Sequence, residues 1–172
     1  MEILPHTIAA GRSLARALAA IGLGALLVFA ATTILDGLLR FFAAAPIDAV
    51  RDLGGLVAAF AVACCIPLTI IERSSITIRF VSSFIGPASG RVADLAAGVL
   101  VELVLLLMTW RFAIFARQTE IDGNATWMLR VPTAPVWWAV TAMIAVAAGL
   151  QMLVILDLAR GGSANAARSV HP

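Results

Sequence analysis

The chain has 172 residues, of which 62% are hydrophobic and 13% are charged, and its mean hydropathy is +1.01. Soluble domains usually contain about 45–50% apolar and about 25% charged residues, so this composition excludes a water-soluble globule. It also excludes intrinsic disorder, which requires low hydrophobicity. The basic residues are all Arg and the formal net charge is only +2, which gives no indication of a nucleic-acid partner. The sequence therefore predicts an all-α integral membrane protein.

Four apolar runs predict four transmembrane helices, since about 20 apolar residues are enough for a helix to cross a bilayer. Backbone polar groups cannot be left unpaired in lipid, which favours helices for all four spans. The runs fit within one four-helix membrane domain over residues 1–172. The expected spans are about 15–39, 52–71, 92–116 and 135–158.

The positions of the Arg residues predict that both termini lie in the cytoplasm, because cytoplasmic flanks of membrane helices are enriched in basic residues. With this orientation, seven Arg lie on the cytoplasmic side and five lie on the other side. Aromatic rings collect at membrane–water interfaces. We therefore expect four interfacial anchors at the non-cytoplasmic face: Trp110, Trp127, Trp137 and Trp138.

The connection between the second and third spans alternates apolar residues with Ser, Thr and Arg over 74–85. It is too short and too polar to be another span, and it ends at Gly86-Pro87, a typical turn dipeptide. The pattern predicts an amphipathic segment that lies along the cytoplasmic interface or against a partner.

Glu102 lies near the middle of the third span. An acidic side chain at that depth costs about 2.5–3.5 kcal/mol on insertion scales, so it indicates either a stabilising contact or a functional role. One interpretation is a buried contact with an Arg or a backbone donor of a neighbouring helix or subunit. The other is a proton or substrate site.

Further charged residues lie at the ends of the first two spans. Asp36 and Arg40 are four residues apart and share one helix face, which predicts a mutual pair near the interface; the other interpretation is a substrate-binding site. Arg51 and Asp52 open the second span and are expected to join this pair across the hairpin. We assign these four residues and Glu102 to structural or subunit contacts.

The small residues Ala20 and Gly24 are spaced four apart, as are Thr141, Ala145 and Gly149. Small residues at this spacing allow helices to approach closely. They predict two packing faces, within the chain or toward a larger membrane partner.

No residue pattern predicts a catalytic, substrate-binding or metal site, or a cofactor. His6 and His171 lie outside the spans, which excludes haem ligation within a four-helix bundle. Cys64 and Cys65 lie inside an apolar run, whereas a quinone-linked thiol oxidase needs Cys pairs in exposed loops. The sequence has no phosphate-binding loop and no Ser/His/Asp arrangement.

The order of several loose motifs resembles a known family. Arg40-Phe41 closes the first span, Arg51-Asp52 opens the second, and residues 72–78 form a charged stretch with alternating Ile after it. Gly123, Thr126, the 129–132 stretch Leu-Arg-Val-Pro and Trp137 follow in order. Over residues 14–158 this pattern is similar to the small membrane subunit, DctQ type, of tripartite ATP-independent periplasmic (TRAP) transporters. Ser75 and Phe41 stand where that family often has His and Tyr.

The resemblance implies a non-enzymatic scaffold subunit in the bacterial inner membrane. Its implied partners are a large membrane subunit, a periplasmic substrate-binding protein and the lipid bilayer, and the implied transport is sodium-coupled import of an organic acid. An alternative from another functional class remains open. In it, the chain is a self-sufficient, dimeric, proton-coupled transporter that uses Glu102.

Overall fold

The computed structural model describes the backbone of residues 3–43, 47–85 and 87–159, and the side-chain surroundings of 9–43, 47, 49–72, 92–93 and 95–159. Within these residues the chain forms four α-helices and no strand, which confirms the predicted fold class. The helices are α1 (Ile3–Ala43), α2 (Asp48–Ile85), α3 (Pro87–Ile121) and α4 (Ala134–Ala159).

Each helix contains one segment that is long and apolar enough to cross a membrane, which confirms four spans. Only the described residues enter these segments, so the predicted span bounds stay a prediction. The segments are Ala9–Ala43, Ala49–Glu72, Leu95–Ile121 and Ala134–Ala159.

The backbone of the predicted interfacial segment 74–85 is helical and continues α2 without a break. No Gly or Pro interrupts the chain between Pro67 and Gly86, so nothing in the sequence ends the helix earlier. At 1.5 Å per residue, the 38 residues of α2 extend about 57 Å, nearly twice the hydrocarbon thickness. The side chains of 73–91 lie outside the described residues, so the interfacial position of 74–85 stays a prediction, as does the orientation of the chain.

The helices α2 and α4 form the centre of the bundle. On the outside, α1 packs along α2 and α3 packs along α4, while α2 also contacts α3. Of the most apolar 18 residues of each helix, only 11% are buried within the chain in α1, against 39% in α4. The main core joins α2, α3 and α4 through small and branched side chains: Ala63, Leu105, Val140, Ile144, Ala147 and Ala148.

The contacts of α1 with α2 repeat every seven residues. On α1 they involve Ala15, Gly22, Phe29 and Asp36. Seven residues make about two helical turns, so these four positions share one face, and such a repeat gives the left-handed crossing of coiled coils. The corresponding positions descend along α2 in antiparallel order and are Ile71, Cys64, Gly54 and, just before the helix, Ile47.

The closest approach of α1 to α2 is at Gly22. A Cβ atom there would lie 2.7 Å from the Cβ of Cys64 and 2.9 Å from the carbonyl oxygen of Ala61. By contrast, Gly24 and Gly149, which belong to the two small-residue faces predicted above, have no neighbouring atom within 4 Å of an added Cβ. These two glycines therefore do not mediate helix contacts within the described part of the chain.

Candidate functional site

The hydrogen-bonded polar side chains gather mainly at one end of the bundle, which we call the loop end. It comprises the ends of α1 and α3 and the starts of α2 and α4, which lie on one side because successive helices alternate in direction. Three carboxylates, Asp36, Asp52 and Glu120, make hydrogen bonds there.

Asp36 closes the turn between α1 and α2. Its carboxylate accepts a hydrogen bond from Arg40 Nη2 at 2.9 Å, one helical turn away, and another from the backbone N–H of Ile47. The Asp36 side chain is only 8% exposed, whereas that of Arg40 is 52% exposed. The predicted mutual pair is present, and the backbone bond fixes the residue just before α2 to the last turns of α1.

Asp52 binds the connection between α3 and α4. Its Oδ2 accepts hydrogen bonds from the backbone N–H groups of Met128 at 2.7 Å and Leu129 at 2.8 Å. The sequence suggested that Asp52 joins Asp36, but the two carboxylates have different partners. The turn at 128–129 offers two backbone amides, and Asp52 binds these instead. The neighbouring Arg51 is exposed.

The four predicted anchors have different surroundings. Trp127 is 95% exposed and Trp110 is 68% exposed, and Trp138 donates a hydrogen bond from Nε1 to Glu120 Oε2 at 3.1 Å. Trp137 is half-buried against the core, and its ring meets that of Phe115 edge to face with 4.8 Å between centroids. The assignment of these residues as interfacial anchors stays a prediction, and Trp137 contributes most of its surface to packing.

Among the described residues, Glu102 and Gln151 are buried polar side chains that lie away from the loop end. Glu102 is 8% exposed, and its Oε2 atom is buried without a hydrogen-bond partner among the described residues. Gln151 on α4 is 6% exposed and donates a hydrogen bond to the carbonyl of Gly98 at 3.1 Å, one turn before Glu102. The part of α3 that faces α4 is therefore polar over one turn.

The described residues contain no group of three His, Cys, Asp or Glu side chains that could hold a metal ion. Cys64 and Cys65 are free thiols, and Cys64 is buried at the α1–α2 contact. The polar groups described above mostly bind one another or the backbone, which is an arrangement that stabilises a fold. It does not resemble a set of groups that converge on a ligand.

Sequence reasoning missed Gln151 and Glu120. An amide in the apolar fourth run could have been noticed, because buried polar groups in membrane helices usually pair across a helix interface. Glu120 and Trp138 are 18 residues apart on two helices, and no local pattern indicates that they meet. Thr126 was noted as part of a motif, but not its hydroxyl, which accepts a hydrogen bond from the N–H of Val131 at 3.1 Å.

A family model for the DctQ component of the tripartite ATP-independent periplasmic transporters matches residues 29–161, which is most of the chain. The chain belongs to the DctQ family. The resemblance inferred from the order of the motifs is thereby confirmed, and this DctQ protein is the small membrane subunit of a TRAP transporter, a multi-pass protein of the inner membrane. The family is a component that works with a large membrane subunit and a periplasmic binding protein. No curated protein and no solved structure matches this DctQ chain.

Proposed function

We propose that this DctQ protein is a non-catalytic scaffold subunit that packs against the large transport subunit of its TRAP system. The complex imports an organic acid delivered by the periplasmic binding protein, and a sodium gradient drives the uptake. In this proposal the substrate and sodium sites belong to the large subunit. Asp36, Arg40, Arg51, Asp52 and Glu102 act in helix or subunit contacts.

The observation that supports a scaffold role is the unequal burial of the four helices. The outer helices α1 and α3 leave most of their apolar surface uncovered by the rest of the chain, while α2 and α4 hold them together. Leu27 on α1 and Leu103 on α3, for example, are 64% and 63% exposed. In this proposal, the exposed apolar surfaces of α1 and α3 contact the large subunit and lipid.

Photo-crosslinking tests the packing. A photoreactive amino acid is placed at Leu27 or Leu103 and the chain is co-expressed with its large subunit, with Ala147, which is fully buried, as the matched control. We expect a crosslink to the large subunit from at least one outer position and none from position 147. Crosslinks only between copies of this chain would contradict the proposal.

Transport in proteoliposomes tests the coupling. With the small subunit, the large subunit and the binding protein all present, we expect uptake of the organic acid that the binding protein carries, and we expect it to stop without an inward sodium gradient. Uptake that persists without the sodium gradient would refute the coupling but not the scaffold role. Uptake by the small subunit alone would refute both.

The alternative of a self-sufficient, dimeric, proton-coupled transporter rests on the buried, unpartnered Oε2 of Glu102. The replacement Glu102→Gln keeps the shape of the side chain and removes its acidity. Loss of proton-driven transport with normal assembly would favour this alternative. Unchanged sodium-driven transport by the complete complex would exclude a role of Glu102 in coupling and support the scaffold proposal.

A further inference from the structure

The connection between α3 and α4 has a fixed backbone. Thr126 and Val131 form the neck of a small loop, with the N–H of Thr126 donating to the carbonyl of Val131 at 3.0 Å and the N–H of Val131 donating to the hydroxyl of Thr126. Below the neck, the N–H of Thr133 donates to the carbonyl of Asn124 at 3.1 Å. Arg130 has a φ of 50°, in the left-handed region that is uncommon for residues other than Gly, so the surrounding bonds hold an unfavourable turn in place.

Asp52 fixes the tip of this loop, residues 127–130, to the start of α2. One carboxylate oxygen of Asp52 accepts hydrogen bonds from the backbone N–H groups of both Met128 and Leu129. Two successive amides that point at one anion are a common way to hold a tight turn. The tip is therefore attached to the bundle through its backbone, and its side chains are left free to point outward.

The side chains on the tip are apolar and exposed. Trp127 is 95% exposed, Met128 56% and Leu129 45%. The backbone amides of Met128 and Leu129 are bound to Asp52, so the backbone of the tip cannot refold without breaking those bonds. Exposed apolar side chains grouped on a rigid loop usually mark a surface that contacts a membrane or another protein.

The position of the tip favours the membrane as the partner. The apolar segments on either side, each long enough to cross a membrane, end at Ile121 and begin again at Ala134, so the loop lies close to the ends of two candidate spans. Phe41 and Phe42, 84% and 79% exposed, lie at the end of α1 on the same side of the bundle. Aromatic side chains with Arg130 beside them have the composition of an interfacial belt, in which rings sit among headgroups and Arg faces phosphates.

We propose that the α3–α4 loop, fixed by Asp52, inserts Trp127, Met128 and Leu129 into the lipid headgroup layer. This adds a preformed membrane contact to the four spans, and it does not depend on how the large subunit docks. Asp52 acts by positioning: it binds the tip through the backbone N–H groups of Met128 and Leu129, and its replacement should change the depth of Trp127 without removing any apolar side chain.

Fluorescence quenching tests the depth. A variant with Trp127 as its only Trp carries Phe at positions 110, 137 and 138 and is reconstituted in phosphatidylcholine vesicles whose lipids are brominated either near the headgroup or near the chain end. We expect stronger quenching by the shallow label and little quenching by iodide in the water. The matched control carries Leu103→Trp with Phe at all four native Trp positions; Leu103 is 63% exposed and lies well inside the apolar segment of α3, so this Trp should be quenched more by the deep label.

The complete complex and a change at Asp52 make the test decisive. Trp127 should remain quenched by lipid when the large subunit is bound, whereas loss of lipid quenching on assembly would show that protein covers the tip and would overturn the proposal. Trp127 fluorescence at the wavelength of a water-exposed indole, together with strong iodide quenching, would overturn the proposal as well.

The Asp52 variants test the positioning role. In the Trp127-only background, Asp52→Ala should weaken the preference for the shallow label at least twofold, whereas Asp52→Asn, which keeps an acceptor oxygen, should preserve most of it. An unchanged profile in Asp52→Ala would refute the positioning role.

Discussion

Gly22 gives the sharpest test of how α1 is held to the bundle. The replacement Gly22→Ala adds a Cβ atom 2.7 Å from the Cβ of Cys64 and 2.9 Å from the carbonyl oxygen of Ala61. Carbon atoms in good contact are about 3.5–4.0 Å apart, so the two helices must separate by about 1 Å at this point. The Cβ of Cys64 and the backbone of Ala61 cannot rotate away, which leaves movement of a whole helix as the only relief.

The expected cost follows from overpacking, which destabilises cores by about 1–3 kcal/mol. Gly24→Ala is the matched control, because it makes the same chemical change two residues away where no atom lies within 4 Å. Ala is favoured over Gly in helices by up to about 1 kcal/mol, so the control should be neutral or slightly stabilising. Gly11→Ala should fall between the two, since the atom 2.8 Å from its Cβ is the end of the flexible Leu150 side chain.

Unfolding of the purified chain by sodium dodecyl sulfate, followed by far-UV circular dichroism, measures this order. Gly22→Ala should unfold at the lowest detergent fraction, Gly11→Ala next, and Gly24→Ala at or above the fraction for the unmodified chain. Equal midpoints for Gly22→Ala and Gly24→Ala would refute the close contact between α1 and α2.

The same measurement tests three further replacements. Asp36→Ala should lower the free energy of unfolding by about 1–3 kcal/mol, because the backbone N–H of Ile47 loses its partner. Arg40→Ala removes only the half-exposed ion pair and should lower it by less than about 1 kcal/mol. Equal losses would contradict the role of Asp36 in closing the turn between α1 and α2. Glu102→Leu should raise stability by about 1–3 kcal/mol, since it removes a buried oxygen without a hydrogen-bond donor; a loss of stability would show that Glu102 is engaged elsewhere. Gln151→Leu should cost only about 0.6 kcal/mol, the average for hydrogen bonds between membrane helices, and a loss well above 2 kcal/mol would indicate that Gln151 does more than bind Gly98.

The number and type of helices could be predicted from the sequence because apolar runs of membrane length have few alternatives. The pair of Asp36 and Arg40 was predictable for a similar reason, since a spacing of four places two side chains together on any helix. In both cases the information is local, and no knowledge of the neighbouring helices is needed.

The partners of Asp52 and Gly22 could not be predicted, because both depend on contacts between helices. The backbone amides that Asp52 binds are 76 and 77 residues away in the chain. In a sequence rich in Ala and Gly, spacing of small residues selects Gly24 as readily as Gly22, and only the seven-residue contact repeat of α1 distinguishes them. The extent of α2 was missed for another reason: alternating Ile and Ser over 74–85 suggested a separate segment, but no residue there ends a helix.

The contact of Asp52 with the α3–α4 loop has a mechanical consequence for the whole subunit. The α1–α2 and α3–α4 hairpins are connected covalently where α2 ends at Ile85 and α3 begins at Pro87, on the side of the bundle opposite the loop end. At the loop end, the hydrogen bonds of Asp52 tie the first hairpin to the second. With both ends joined and the core of α2, α3 and α4 between them, the hairpins resist splaying. Removing the Asp52 carboxylate would take away the tie at the loop end and leave the packed core to hold the two hairpins together.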